Sequence, residues 1–130
     1  MENSIEQSAR GILRQLRAAE PNVQALAWVT HEGQVVTALF EQGNQDRIGA
    51  MSASLLALSA AASREVSLGA LRQVILNGEE GTLLLTSAGQ EHALLIAADT
   101  RINLGRLLVH AHRISGELAA LEAQHPVQPA

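Results

Sequence analysis

An uncharged helical segment in the middle of the chain constrains the fold most strongly. Residues Ile48 to Ser63 form a run of 16 residues without a charged side chain. The large side chains of this segment fall on one arc of a helix, which we expect to face a sheet. They are Ile48, Met51, Leu55, Leu58 and Val66. The opposite side holds small residues and is also uncharged. A helix that is apolar on all sides is normally buried on all sides, so another element must cover the small face.

The small face of this helix predicts a contact with a second chain. Its members are Gly49, Ala50, Ala53, Ala57, Ala60 and Ala61. Small side chains let two helix axes approach closely, so the simplest cover is the same helix of a second copy, related by a two-fold axis. We therefore predict a homodimer built on residues 49–61. The alternative is that alanine is only a good helix former on an exposed surface, although exposed surfaces usually carry charges.

The rest of the chain predicts two further helices and five strands. Amphipathic spacing indicates one helix after Ser4 and another after Asn103, while turn residues at hairpin spacing separate the strands. The predicted strands are residues 24–30, 35–40, 70–76, 82–86 and 91–98. The order α-β-β-α-β-β-β-α predicts an α+β fold in α/β/α layers, with a five-stranded, mostly antiparallel sheet and helices on both faces. We expect a single domain over residues 1–123 and a disordered tail over 124–130.

The composition excludes several kinds of site and partner. The chain has no cysteine and its 9 basic side chains are all arginines, so thiolate ligands, cysteine nucleophiles, Schiff-base lysines and phosphate-loop lysines are excluded. A net charge of −4 argues against general electrostatic binding to nucleic acid. No run is long and apolar enough for a membrane span, and no signal peptide is visible, so we expect a cytoplasmic protein. We expect no cofactor.

The polar residues do not form a recognisable catalytic or metal-binding motif. His110 and His112 are two residues apart on a helix and point in nearly opposite directions, so we predict no shared metal ion. The four serines of the middle helix are predicted to satisfy their hydroxyls locally, and we predict no enzymatic activity. Arg47 and Arg64 flank the uncharged segment and are candidate partner-binding residues. The alternative for Arg64 is an ordinary solvent-facing arginine at a helix end.

Four local strings, in this order, resemble the Roadblock/LC7 domain superfamily, and within it the bacterial MglB-like type. They are the hairpin Leu26 to Val36, the helix Ile48 to Ser63, the strand and turn Gly81 to Gly89, and the helix start Asn103 to Leu108. The resemblance covers roughly residues 5–122. It implies a homodimer, or a heterodimer with a paralogue, in which the second helices pack side by side. It also implies that the third strands, here with Arg72 and Val74, pair edge to edge.

The resemblance further implies that the paired second helices form a platform for small Ras-like GTPases or other partners. Some bacterial relatives stimulate GTP hydrolysis and others are scaffolds, so both roles stay open. We therefore predict a dimeric, non-enzymatic regulator or scaffold of a small Ras-like GTPase. One alternative is a plain dimeric scaffold without a GTPase. Another is a sensor that holds a small molecule between helix and sheet. The chain has no tyrosine, one tryptophan (Trp28) and one phenylalanine (Phe40), and so few aromatic residues disfavour a ligand pocket.

Overall fold

The computed structural model describes residues 2–40 and 44–125, with side chains from residue 4 onward. Within these residues the elements follow the predicted order. They are α1 (Glu2–Ala19), β1 (Val23–Thr30), β2 (Val35–Phe40), α2 (Gln45–Glu65), β3 (Gln73–Gly78), β4 (Gly81–Ser87), β5 (His92–Asp99) and α3 (Leu104–Gln124). Helix α1 begins at Glu2 and therefore includes Ser4, and β3 begins three residues later than predicted. Except for Gln124 and His125, the predicted tail lies outside the described residues.

The five strands form one antiparallel sheet in the order β2-β1-β5-β4-β3. This arrangement confirms the predicted α+β fold with helices on both faces. Strand β1 shows why the central strands are apolar throughout. Leu26 and Trp28 point into the core beneath α1 and α3, whereas Ala27 and Val29 point into the core beneath α2. Strands β2 and β3 are the two edges of the sheet, because each pairs with only one neighbour.

Helices α1 and α3 share one face of the sheet and are joined by an ion pair between a buried carboxylate and an exposed arginine. Glu20, directly after α1, is fully buried. Its carboxylate accepts hydrogen bonds from Arg106 Nε at 2.8 Å and Nη2 at 2.9 Å, and His110 Nε2 lies 3.4 Å away. The Arg106 hydrogen bonds outweigh the effect of burial and hold the pKa of Glu20 below its usual value. The pair therefore fixes the end of α1 against the first turn of α3.

Helix α2 alone covers the opposite face of the sheet. It begins at Gln45 because the side chain of Asn44 accepts the backbone N–H of Arg47 at 3.1 Å, which caps the helix earlier than predicted. The predicted orientation of the large side chains is wrong in part. Ile48 and Leu55 pack on the sheet, but Met51, Leu58 and Val66 are 53%, 71% and 64% exposed.

A close approach between two glycines explains this orientation of α2. A Cβ atom on Gly49 would lie 2.0 Å from the carbonyl oxygen of Gly33, in the turn between β1 and β2. Only glycine allows the helix backbone to come so near the turn, so the side of α2 that carries Gly49 and Ser52 faces the sheet. The Ser52 hydroxyl donates to the carbonyl of Ile48 at 2.8 Å, as the predicted local satisfaction of the serines requires. With this side inward, the side chains of Met51 and Leu58 point outward.

Candidate interaction surface

The outer face of α2 is exposed and uncharged, and apart from Ser54 it is apolar. Ala50, Ala57 and Ala61 lie along it, next to the exposed side chains of Met51 and Leu58. Surfaces of this kind usually mark sites that another protein covers. We call this face, with its five residues, the α2 outer face.

The other residues predicted for the dimer contact lie at the border of this face or beneath it. Ala53 and Ala60 are half-buried on the side of α2 that points toward β3. Gly49 is buried against the β1–β2 hairpin of its own chain, so it points away from the α2 outer face. The sequence pattern therefore located the exposed alanines, but it did not separate them from the glycine that packs inward.

The edge strand β3 lies beside α2, and a groove of about 320 Å³ separates them. Ala53, Ala57 and Ala60 line the groove from the helix, and Arg72 lines it just before β3 begins. The structure thus brings four of the predicted contact residues together. Val74, on β3, is half-buried and packs on the core beneath α2. Among the described strands none lies on one side of β3, so its backbone groups on that side are open to pairing.

Hydrogen bonds hold the connection between α2 and β3. Sequence analysis predicted only that the serines of the middle helix satisfy their hydroxyls locally. The Ser63 hydroxyl donates to the carbonyl of Gly69 at 2.7 Å, and the backbone N–H of Leu68 donates to the carbonyl of Ser63 at 2.7 Å. Ser67 and Gly69 both adopt positive φ angles, of 62° and 85°. These bonds close a tight connection that sets β3 next to the end of α2.

Arg47 and Arg64 lie near the two ends of α2, as predicted. Their 17-residue separation corresponds to roughly 25 Å along the helix. Both side chains are exposed, and within the described part of the chain neither forms a salt bridge. Arg47 borders a hollow on the helix surface together with Met51 and Leu58. The two guanidinium groups therefore lie at opposite ends of the α2 outer face, and each is next to an exposed acidic residue, Asp46 or Glu65.

A second polar cluster, which sequence analysis missed, joins the β4–β5 turn to α3. His92 stacks on Trp28 with ring centroids 4.3 Å apart, and its Nδ1 atom lies 2.5 Å from Glu122 Oε2. The Glu122 carboxylate also accepts the backbone N–H groups of Gln90 at 2.8 Å and Glu91 at 3.0 Å. Burial would raise the pKa of Glu122, but the hydrogen bonds from His92 and the two N–H groups outweigh it and lower the pKa. These contacts hold the β4–β5 turn against α3.

The remaining polar residues show no arrangement typical of a catalytic or metal centre. Across residues 2–40 and 44–125, no group of three His, Cys, Asp or Glu side chains is placed to hold a metal ion. His110 approaches Glu20 while His112 is exposed, so the two histidines are separated as predicted. Of the described helices, none has both the length and the apolar character needed to cross a membrane.

Comparison with known proteins gives consistent similarities. The family model for the Roadblock/LC7 domain matches residues 11–98. An uncharacterized protein of Methanocaldococcus jannaschii is 31% identical over 81 residues, which is 61% of this chain and 68% of that protein. A solved structure described as MglB with tetrameric arrangement has a TM-score of 0.86 at 18% identity, covering 92% of this chain and 91% of its own. The gliding protein MglB of Thermus thermophilus has a TM-score of 0.84 at 18% identity, covering 92% of both chains. At these identities the two structures show the shared fold.

Proposed function

The chain belongs to the Roadblock/LC7 domain family, and on that premise we propose that it is a dimeric, non-enzymatic interaction module that regulates or scaffolds a small Ras-like GTPase. One domain of residues 1–123 would carry this function. The observation that supports it most directly is the α2 outer face, which is apolar and uncharged, adjoins the free edge of β3, and lies between Arg47 and Arg64.

Pairing with a second copy or a paralogue explains why α2 exposes apolar residues. Ala50, Ala57 and Ala61 allow the two helix axes to approach to roughly 8 Å. Burying a side chain such as Leu58 contributes about 1.5 to 3 kcal/mol in each copy. Pairing of β3 with its counterpart would satisfy the open backbone groups at this edge and bring Arg72 and Val74 to the contact. The MglB structure with a tetrameric arrangement is consistent with an assembly of several copies.

The groove between α2 and β3 favours a second chain over a small-molecule ligand. Its volume of about 320 Å³ is at the low end for ligand pockets. Its walls include Ala53, Ala57, Ala60 and Arg72, which are residues of the proposed contact. A second copy that packs on α2 and β3 would therefore close the groove and leave no room for a ligand.

The dimer would present its two α2 helices as one platform to the GTPase. Surface complementarity to the mobile nucleotide-sensing segments of the GTPase would let the module favour one of their conformations. Arg47 and Arg64 would pair with acidic side chains at the rim of this platform. Exposed pairs of this kind contribute about 0.2 to 1 kcal/mol each and mainly increase the association rate.

The dimer is tested by placing a charge on the α2 outer face. We expect light scattering of the unmodified protein at micromolar concentration to give twice the chain mass, and Ala57→Glu to give the mass of one chain. The matched control is Ala120→Glu, which places the same charge on an exposed alanine of α3. A monomeric unmodified protein, or a dimer that survives Ala57→Glu, would contradict the proposed interface.

The GTPase partner is tested by titrating the dimer with small Ras-like GTPases from the same cell, loaded with GDP or with a non-hydrolysable GTP analogue. We expect binding that depends on the nucleotide and that weakens in a variant combining Arg47→Glu and Arg64→Glu. Phosphate release then separates a regulator from a scaffold. Absence of binding in either nucleotide state would reject the GTPase role and leave the plain dimeric scaffold.

A further inference from the structure

A row of arginines on α1 forms a charged surface on the opposite side of the sheet from α2. Arg10, Arg14 and Arg17 are spaced i, i+4 and i+7, so they fall within an arc of roughly 60° on the helix. None of them forms a salt bridge with a described residue, whereas the three arginines between β5 and the middle of α3 all do. In a chain with a net charge of −4, this row is a local concentration of positive charge, and Glu6, one turn before Arg10, is the acidic residue that precedes it on the same side of the helix. We call it the α1 arginine row.

The α1 arginine row follows the outer edge of β2. Arg10 Nη1 donates to the carbonyl oxygen of Ala38 at 2.9 Å. Arg17 borders a hollow at the end of the sheet, which is lined by Phe40 of β2 together with residues of β1 and Ala97 of β5. The row therefore accompanies the second half of β2, the edge strand farthest from β3. The sequence of β2, Val35 to Phe40, contains no charge and no proline that would discourage another strand from pairing with it.

We propose that the β2 edge and the α1 arginine row together bind an extended acidic segment of a partner protein, which adds to the sheet as a further strand. Arg10 and Arg14 are separated by about 6 Å along the helix. Alternate residues of a strand are about 6.6 Å apart. Acidic side chains at two alternate positions of the added strand therefore match Arg10 and Arg14, and Arg17 lies about 4.5 Å beyond Arg14 along the helix.

Because side chains of a strand alternate between its two faces, the residues between the acidic ones are also constrained. Residues between the acidic ones would point to the other face of the sheet, where Val35 and Phe40 are half-buried, so apolar side chains fit there. On binding, Arg10 would exchange the Ala38 carbonyl for a carboxylate, because a guanidinium–carboxylate pair joins two opposite charges and can be bidentate, whereas the carbonyl is neutral. This surface uses neither α2 nor β3, so it is independent of the proposed dimer and GTPase contacts.

The test uses a fluorescently labelled peptide of alternating glutamate and valine, with anisotropy measured against the full chain. We expect binding that is lost when glutamine replaces glutamate and when alternate backbone nitrogens of the peptide are methylated. A variant combining Arg14→Glu and Arg17→Glu should weaken binding by about two- to thirtyfold, as two lost charge pairs predict. The control variant Arg64→Glu, on α2, should bind the peptide as the unmodified protein does.

The circular-dichroism melting curve and Trp28 fluorescence show whether the charge-reversal variant is folded. If it is not, Arg14→Gln with Arg17→Gln replaces it. Equal binding by the folded variant overturns the role of the arginine row, and equal binding of the methylated peptide overturns strand addition. No peptide binding overturns the proposal, as does arginine-dependent binding to phosphatidylglycerol vesicles without peptide binding, since the surface would then recognise a membrane.

Discussion

The contact between Gly49 and Gly33 predicts that Gly49→Ala destabilises the fold, although alanine is the better helix former. The added Cβ would lie 2.0 Å from the Gly33 carbonyl oxygen and 3.2 Å from Val35 Cγ2. To restore a separation of 3.0 Å from that oxygen, the helix and the hairpin must part by about 1 Å. The Gly33 oxygen belongs to the backbone and the added Cβ is fixed to the helix backbone, so no flexible side chain can move away. The new methyl group therefore has to be accommodated by shifting α2 on the sheet.

The net effect follows from two opposing contributions. Overpacking in a well-packed region costs about 1 to 3 kcal/mol, and a rigid backbone contact belongs to the upper part of that range. Replacing glycine by alanine inside a helix returns about 1 kcal/mol. We therefore expect Gly49→Ala to lower the free energy of unfolding by about 1 to 2 kcal/mol, which for a chain of this size lowers Tm by about 4 to 7 °C.

Gly116→Ala is the matched control, because it makes the same substitution where no atom lies within 4 Å of the added Cβ. It should raise the free energy of unfolding by about 1 kcal/mol. Both variants are compared by urea unfolding followed through Trp28 fluorescence, at a single protein concentration because self-association also stabilises the folded state. If Gly49→Ala proves as stable as the unmodified protein, the glycine contact does not determine the position of α2.

Two further predictions concern Glu122 and Leu58. The pKa of Glu122 is lowered in the fold, so its carboxylate stabilises the protein above the usual value of 4.5, and this contribution is lost as the pH falls through the lowered pKa. Glu122→Gln should therefore flatten the fall of the urea midpoint below pH 4.5, and an unchanged slope would contradict this cause. Leu58→Ala should change the monomer's free energy of unfolding by less than about 0.5 kcal/mol while weakening self-association in light scattering, and a large loss of monomer stability would contradict its exposed position.

Much of the fold could be predicted from the sequence because its signals are local. Apolar residues on both faces of β1 are typical of a strand covered on both faces, and Leu26 with Trp28 and Ala27 with Val29 do enter two separate cores. Asn103 was recognisable as the start of α3, since a cap acts within the first turn of its own helix. The absence of charge from Ile48 to Ser63 predicted a surface that needs a cover. Each of these features depends on residues within a few positions of one another.

Other features were decided only by the tertiary structure, because their partners lie far apart in the chain. Glu20 and Arg106 are 86 residues apart, and His92 and Glu122 are 30 apart, so no local spacing announces either pair. The rotation of α2 depends on how closely its backbone approaches the turn at Gly33. The helical pattern located the apolar residues of α2, but the fit between two backbones decided that Leu58 faces outward and Gly49 faces inward.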